Sequence, residues 1–175
     1  MIAHELRNPL ASLKGHAQLL REQASDDPKL AREASRVVDE AVRLQALTQG
    51  LLDFVRSGKV RPEPTAVGEL VREAVAGTLA TVDVMLDHAP PTWSLDRARM
   101  RQVLVNLLDN AHHAAPQTPA EVTVRVERDV LVIEVHDWGP GVPEDQREEI
   151  FAPFHTGRTQ GTGLGLAVCR RIVTE

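Results

Sequence analysis

The chain has one cysteine, no tyrosine and few aromatic residues of any kind. Of its 175 residues, 3% are aromatic, and Cys169 is the single cysteine. A lone cysteine excludes an internal disulfide and a thiolate metal cage, which fits a reducing compartment such as the cytoplasm. With so few aromatic rings, base-stacking platforms for nucleic acid are not expected, and the cores must be aliphatic.

The chain also lacks an excess of positive charge and a long apolar run. Lys and Arg total 20 against 25 Asp and Glu, which gives a formal charge of -5. Neither a nucleic acid nor an anionic membrane surface is therefore expected as a partner. No apolar run approaches the roughly 18 residues that cross a bilayer, and the N-terminus shows no export signal. We expect a cytoplasmic segment without membrane contact.

The first third of the chain has the apolar spacing of two helices. From Ile2 to about Arg21, and again from Leu30 to Val55, residues recur at alternating steps of four and three and form one seam per helix. The seam residues are Leu6, Leu10, Leu13, Ala17 and Leu20 in the first run, and Leu30, Ala34, Val37, Ala41, Leu44, Thr48, Leu51 and Val55 in the second. The segment from Ser25 to Pro28 supplies a helix cap and a proline suited to a first turn. Because two helices alone cannot enclose so long a seam, the pattern favours a hairpin that pairs with a second copy as a four-helix bundle. We predict a homodimer.

The rest of the chain changes period. Residues 58–66 contain one glycine and two prolines, which predict a linker. The elements predicted beyond it are a helix over 67–79, a strand over 81–87, a helix over 96–115 capped by Asp96, a hairpin over 121–137, a short helical piece over 144–151 and a C-terminal helix. The fold class is therefore α+β: a helical hairpin over residues 1–57, then an α/β sandwich over 67–175 with its helices on one face of a sheet.

The first helix carries a histidine in the segment His4-Glu5-Leu6-Arg7-Asn8-Pro9-Leu10. At about 100° per residue, His4 points roughly 160–200° away from the apolar seam, towards solvent. A neutral imidazole is a competent nucleophile near neutral pH, and Glu5 can hold the proton on its other nitrogen. Asn8 can position a water or a substrate group, and its presence excludes the second histidine of a helical zinc site. Alone, the segment also describes an ordinary solvated face.

Two asparagines, Asn106 and Asn110, lie four residues apart on one face of the predicted 96–115 helix. Amide oxygens suit a hard cation, and nucleotide-bound magnesium needs few protein ligands because phosphate and water complete its shell. His113 lies at the next step of this face and can contact a phosphate. Taken alone, this pattern also describes ordinary surface residues.

Two glycine-containing segments follow. In Asp137-Trp138-Gly139-Pro140-Gly141, a carboxylate at a strand end can accept a hydrogen bond from an exocyclic amino group, and the glycines let the backbone approach a flat ring. In Gly161-Thr162-Gly163-Leu164-Gly165-Leu166, backbone N–H groups at a helix start can seat a phosphate. Arg158, just upstream, is a candidate for the terminal phosphate. An ordinary turn and a flexible hinge are the alternatives.

In this order, the segments closely resemble the catalytic core of bacterial two-component sensor histidine kinases, of the nitrogen-regulator-like subclass. The matching segments are, in chain order, the phosphoacceptor box, the N box, the first glycine box, the F box and the second glycine box: His4–Leu10, Asn106–Ala115, Asp137–Gly141, Phe151–Phe154 and Gly161–Leu166. The resemblance covers essentially the whole chain. It implies a dimerisation and histidine-phosphotransfer hairpin over residues 1–57 and an ATP-binding domain of the gyrase-like Bergerat fold over 67–175.

The resemblance also implies roles for single residues. His4 receives the γ-phosphoryl group of ATP, Glu5 assists as base, and Asn8 helps when water later removes phosphate from the partner. Asn110 ligates Mg2+, and Asp137 holds the adenine amino group. The other implied nucleotide contacts are Asn106, His113, Gly139, Gly141, Arg158, Gly161, Thr162, Gly163, Leu164 and Gly165. The implied partners are a second copy and a response regulator receiver domain, whose aspartate accepts the phosphoryl group.

The chain departs from the family at both ends. Only three residues precede His4, and the chain stops at Glu175, where family members usually continue with a His-Gly-Gly turn and another strand. We therefore expect a fragment of a larger sensor protein that lacks its C-terminal strand. One alternative is a catalytically impaired dimeric module that binds ATP and docks a regulator. Another is a gyrase- or chaperone-type ATPase, which would not need the His4 segment.

Overall fold

Two compact units make up the protein in the computed structural model, which describes residues 2–23, 27–55, 60–157 and 162–175. The first unit comprises Met1–Ser57 and Pro153–Leu164, and the second comprises Gly58–Ala152 and Gly165–Glu175. The side chains of residues 2–10, 49 and 53–55 lie outside the description.

The first unit contains helices α1, Ile2–Gln23, and α2, Pro28–Val55. Asp27 caps α2, because its Oδ1 accepts the backbone N–H of Lys29 at 2.9 Å and of Leu30 at 3.2 Å. A proline takes the first helical position, where the missing N–H has no partner to lose. The helical hairpin and the start of its second helix are therefore as the sequence predicts.

Within one chain, the hairpin buries mainly the small residues of the predicted seam, and Val38 takes the place of Val37. Among the described side chains of α1 and α2, the buried ones are small: Ala17, Ala34, Val38 and Ala41. The large residues of the predicted seam are 41–57% exposed: Leu13, Leu20, Leu30, Val37, Leu44 and Leu51. The hairpin thus has a narrow interior lined mainly by alanine, and a separate set of exposed large residues that we call the leucine surface.

The second unit contains the sheets. Its elements are β1 Glu63–Ala66, α3 Val67–Ala76, β2 Val82–Met85, β3 Thr92–Leu95, α4 Arg97–Ala114, β4 Ala120–Glu127, β5 Val130–His136 and α5 Gly165–Thr174, with 3-10 turns at Glu144–Gln146 and Glu149–Phe151. Strands β1 and β3 pair antiparallel. Strand β4 lies between β2, which is parallel to it, and β5, which is antiparallel.

The core of the second unit joins α3, α4 and one face of β4. Alternate residues of β4, namely Ala120, Val122 and Val124, are buried, as the period of two in a strand requires. The helices contribute leucines with at most 1% exposure, among them Leu70 and Leu108. Burying one such side chain contributes about 1.5–3 kcal/mol. The predicted α+β class, with a helical region followed by an α/β sandwich, is confirmed.

The hairpin of β4 and β5 turns through two residues, Arg128 and Asp129. Both have left-handed backbones, with φ of 47° and 66°. This is the conformation of a type I′ turn, whose twist matches that of paired strands. Glu127 consequently lies opposite Val130, and the pairing continues to Glu121 and His136. The predicted hairpin is present in this register.

The predicted linker and the first predicted helix of the sandwich differ from the structure. Residues 63–66 of the predicted linker form β1. The sequence did not predict this strand, because Pro62 and Pro64 are not typical of a strand. Strand β1 has a single neighbour, so the missing N–H of Pro64 can be tolerated at this edge. Helix α3 ends at Ala76 instead of reaching residue 79, because Gly77, a poor helix former, follows it.

Asp96 caps α4 and ties it to the segment before β1. Its Oδ1 accepts the Arg99 N–H at 3.2 Å, and its Oδ2 accepts the Arg61 N–H at 3.0 Å. Burial opposes the charged form, but these backbone donors and the Arg99 guanidinium outweigh it and lower the pKa of Asp96 from its usual value.

A carboxyl group whose pKa is lowered by folding stabilises the fold above its unfolded pKa of about 3.9, and this contribution is lost as the pH falls through the folded pKa. We expect Asp96→Ala to lower the free energy of unfolding by about 1 kcal/mol at pH 7, with a smaller difference near pH 3. Urea titrations measure both values. Asp83→Ala, at an exposed aspartate of β2, serves as control. Equal midpoints for the Asp96 variant and the wild type at pH 7 would contradict the role of the cap.

Candidate functional site

Helix α4 holds its two asparagines half-buried on one side. The other side is fixed in the core by Val103, Leu104, Leu108 and Ala111. The side-chain nitrogen of Asn106 donates to the backbone carbonyl of Gly165 at 3.2 Å. Asn110 lies one turn later, in the direction of the helix C-terminus. The predicted helix therefore forms, with both amides on one face.

The turn after β5 brings a carboxylate to the same end of α4. Asp137 accepts the N–H of Gly139 on its Oδ1 at 2.8 Å, which closes a local turn. A Cβ on Gly139 would lie 2.7 Å from the Cβ of Ala114 and 3.2 Å from its carbonyl oxygen, so only glycine allows this close approach. Ala114 lies one turn beyond Asn110, and the contact therefore places Asp137 near the end of α4 that carries Asn110.

His113 is anchored to its own helix. Its Nδ1 lies 2.5 Å from the carbonyl oxygen of Asp109. That bond requires the proton on Nδ1, so a neutral ring presents Nε2 as an acceptor. The predicted phosphate contact of His113 stays a prediction.

The loop that precedes α5 is closed at its base by Phe154 and Gly163. The Phe154 N–H donates to the Gly163 carbonyl at 2.9 Å, and both residues have a φ of 66°. A Cβ on Gly163 would lie 2.5 Å from the carbonyl carbon of Phe154, which leaves no room for another residue type. Nothing in the sequence signals the left-handed backbone of Phe154, an unusual conformation for an aromatic residue.

The residues that follow this closure pack within the first unit. The Thr162 hydroxyl accepts the Leu164 N–H at 3.4 Å, and the Leu164 side chain is 1% exposed. A Cβ added to Gly50 of α2 would lie 3.1 Å from Leu164 Cδ1. Residues 153–164 therefore group with the hairpin in this structure, and the predicted domain over 67–175 stays a prediction. Sequence reasoning missed Gly50, because a lone glycine in a helix signals no particular contact.

Five predicted site residues lie wholly or partly outside the described part of the chain. His4, Glu5 and Asn8 belong to α1, but their side chains lie outside the described residues, and so do Arg158 and Gly161. Their roles stay predictions.

Two further residues differ in their surroundings. Gly141 has a φ of 74°, and beyond its chain neighbours no atom lies within 4 Å of the position that a Cβ would take, so its requirement for glycine is one of backbone conformation. Cys169 is buried, and burial raises the pKa of its thiol to about 11. The thiol stays protonated at neutral pH, which agrees with a core residue.

Carboxylate and imidazole clusters do not provide a metal site in the described part of the chain. No group of three or more His, Cys, Asp or Glu side chains there is arranged to hold an ion. A separate finding is that none of the described helices has both the length and the apolar character of a membrane span.

Two family profiles match the chain. Residues 1–59 match the His Kinase A (phospho-acceptor) domain, and residues 95–175 match the histidine kinase-, DNA gyrase B- and HSP90-like ATPase. The signal transduction histidine-protein kinase AtoS of Escherichia coli strain K12 is 34% identical over 98% of this chain and 30% of its own length. The sensory histidine kinase/phosphatase NtrB of Rhodobacter capsulatus is 36% identical over 100% of this chain and 54% of its own length. The chain therefore spans only part of these relatives.

Solved structures agree with these matches. Full-length ShkA in complex with AMPPNP has a TM-score of 0.74 at 26% identity, over 99% of this chain and 39% of that one. Histidine kinase ThkA in complex with the response regulator protein TrrA has a TM-score of 0.66 at 25% identity, over 98% of this chain and 52% of that one. The catalytic domain of ThkA has a TM-score of 0.56 at 32% identity, over 65% of this chain and 80% of that one. The chain belongs to the two-component sensor histidine kinases, the family that its phosphoacceptor, N and glycine boxes predict.

Proposed function

We propose that the chain is the catalytic core of an ATP-dependent protein-histidine kinase that phosphorylates His4 and passes the phosphoryl group to an aspartate of a response regulator. The contact between Gly139 and Ala114 carries this proposal, because it brings the Asp137 carboxylate to the end of α4 that bears Asn110. A carboxylate that accepts from an adenine amino group and an amide oxygen that binds magnesium are then available together.

Asn110 suits magnesium only as one member of a ligand set that includes phosphate. Its amide oxygen is a hard ligand, and the described side chains offer no cluster of carboxylates to enclose a bare ion. Asn110 would therefore supply one oxygen ligand to a nucleotide-bound magnesium. When bound, the ion neutralises charge that develops on the transferred group.

The other predicted residues would hold the triphosphate. The His113 ring can contact a phosphate oxygen, and Arg158 offers a guanidinium. The backbone N–H groups between Gly161 and Gly165, at a helix start, can seat a phosphate. The residues thus position charge and geometry, which phosphoryl transfer needs more than covalent assistance.

At His4, a lone pair of one ring nitrogen would attack the γ-phosphorus while the bond to the bridging oxygen of ADP breaks. Glu5 would hold the proton on the other ring nitrogen and offset the positive charge that forms there. Asn8 would orient the water that later hydrolyses the regulator's aspartyl phosphate. The relative NtrB is named a kinase/phosphatase. Because this chain is similar to it, we propose that the chain also assists the dephosphorylation of its response regulator.

The leucine surface of the hairpin supports a second copy as partner. Its members are 41–57% exposed, although each leucine or valine gains about 1.5–3 kcal/mol on full burial. A four-helix bundle would cover them. Sedimentation equilibrium should give the mass of a dimer, and Leu44→Glu should shift it towards monomer. A monomeric wild-type chain at all concentrations would exclude the bundle.

Incubation with Mg2+ and radiolabelled ATP tests the kinase function. We expect label in a phosphoamino acid that is stable to base and labile to acid, as the nitrogen–phosphorus bond of phosphohistidine is. ATP binding without any label would instead favour the alternative of a docking module.

Because ATP is the donor and the single cysteine is an unpaired thiol, we place this segment in the cytoplasm.

Asn110→Ala is expected to weaken nucleotide binding in the presence of Mg2+ by about tenfold to a hundredfold, the effect of losing an interaction with a charged group. Titration of a fluorescent ATP analogue measures the affinity. The control is the same titration in EDTA, where the variant and the wild type should bind equally. Equal affinity in Mg2+ would show that the metal is held elsewhere.

A further inference from the structure

The side chain of Asn106 is used within the protein. Its Nδ2 donates to the carbonyl oxygen of Gly165 at 3.2 Å. Gly165 is the first residue of α5, so the bond joins the middle of α4 to the first turn of α5. A methyl group at Gly165 would lie 3.7 Å from Asn106 Cγ, an ordinary contact distance, which shows how closely the two helices approach there.

Cys169, one turn beyond Gly165, packs α5 against the same stretch of α4. Its sulfur lies 3.7 Å from the carbonyl oxygen of Val103, and the residue is 4% exposed. The first two turns of α5 therefore lie against this part of α4, and Asn106, half-buried on α4, contacts the first of them.

We propose that Asn106 is a positioning residue that fixes the start of α5, and with it the end of the second glycine box, to α4. In this role it is not a ligand of magnesium or phosphate. The effect on nucleotide binding rests on the proposed function. A fixed start of α5 keeps its backbone N–H groups directed at the phosphates while Asn110 binds the metal. An interaction that aligns donors in advance avoids the cost of ordering them on binding.

Asn106→Asp separates positioning from ligation, because aspartate has nearly the shape of asparagine. An ionised carboxylate cannot donate to the Gly165 carbonyl and repels it, so a positioning role predicts damage. A carboxylate is also a better magnesium ligand than an amide, so a ligand role predicts unchanged or tighter binding in Mg2+. The two roles thus predict opposite results for one variant.

We expect Asn106→Asp and Asn106→Ala to raise hydrogen exchange of the first α5 amides by about threefold to tenfold, the effect of one lost hydrogen bond. Nucleotide affinity should fall by a similar factor in Mg2+ and in EDTA. Exchange in α3, which belongs to the core, should match the wild type and confirm folding. Gln102→Glu makes the same amide-to-carboxylate change one turn earlier on α4, outside the predicted site, and is the matched control.

Acidification offers a rescue that a merely structural defect would not show. In the Asn106→Asp variant, the new carboxyl group can donate to the Gly165 carbonyl once it is protonated. The protection factors of the α5 amides should therefore recover as the pH is lowered and that carboxyl group becomes protonated. Cys169 stays protonated throughout, because burial raises the pKa of its thiol to about 11. The Ala variant should not recover.

Two results would contradict the positioning role of Asn106. Wild-type exchange in α5 of Asn106→Asp, or tighter binding of the nucleotide in Mg2+, would overturn the positioning role. The exchange measurement uses the protein without nucleotide. If the wild type failed to bind ATP, the proposed function would fall while the exchange result still tested the link between α4 and α5.

Discussion

His4→Gln is expected to abolish the incorporation of labelled phosphate completely while nucleotide binding stays at the wild-type level. The amide of glutamine has no lone pair basic enough to attack phosphorus, whereas neutral imidazole is a nucleophile near neutral pH. Autoradiography after incubation with Mg2+ and labelled ATP measures the reaction. His16→Gln, at an exposed histidine of the same helix, is the control and should be labelled normally. Persistent label in His4→Gln would refute the acceptor assignment.

A mixture of two inactive proteins identifies which subunit donates. His4→Gln keeps the nucleotide site, and Asn110→Ala keeps the acceptor. If transfer occurs across a dimer, subunit exchange should restore label, and all of it should lie on the Asn110→Ala chain. If transfer occurs within one chain, the mixture should stay unlabelled. A tag that separates the two chains by mass makes the readout direct.

Gly163→Ala is expected to reduce nucleotide binding more than Gly165→Ala does. The residue has a φ of 66°, and the new Cβ would lie 2.5 Å and 2.7 Å from backbone atoms of Phe154, which cannot rotate away. Strain of this kind costs about 1–3 kcal/mol, and we expect nucleotide affinity to fall by about fivefold to a hundredfold, the equivalent factor. Nucleotide titration measures the loss.

Gly165→Ala is the comparison for this variant, because its Cβ would meet Asn106 Cγ at 3.7 Å, an ordinary contact. It should bind nucleotide nearly as the wild type does. Equal affinities for the two alanine variants would show that closure of the loop by Phe154 and Gly163 does not matter for binding. Thermal unfolding of both proteins checks that each is folded.

The elements predicted most accurately are those with local signals. Asp27 marks the start of α2, and Asp96 the start of α4, since a cap and its N–H partners lie within three residues. Strands β1 and β3 escape prediction because each has four residues and exists through pairing with the other. In the hairpin, Val38 is buried and Val37 is exposed. Two adjacent apolar residues fit the same spacing, and only the packed helices decide between them.

In the candidate site, too, local signals are predictable from the sequence and contacts between distant residues are not. The glycines are identifiable as positions of close approach, but the partner of Gly139, Ala114, lies 25 residues earlier in the chain and carries no signal of its own. The inward use of Asn106 is equally hidden, because a pair of asparagines four residues apart describes a shared face and not the contacts of each amide. Motifs therefore indicate which residues matter before they indicate what each one touches.

The alanine-lined interior of the hairpin has a consequence for regulation by concentration. Ala17, Ala34 and Ala41 remove little apolar area from water, so an isolated hairpin has a small reserve of stability. Most of the stability of the helix that carries His4 would come from association, which obeys mass action. Dilution should therefore unfold this helix pair while the sheet-containing unit stays folded. Thermal unfolding at several protein concentrations should show one transition whose midpoint temperature falls on dilution and one whose midpoint stays constant.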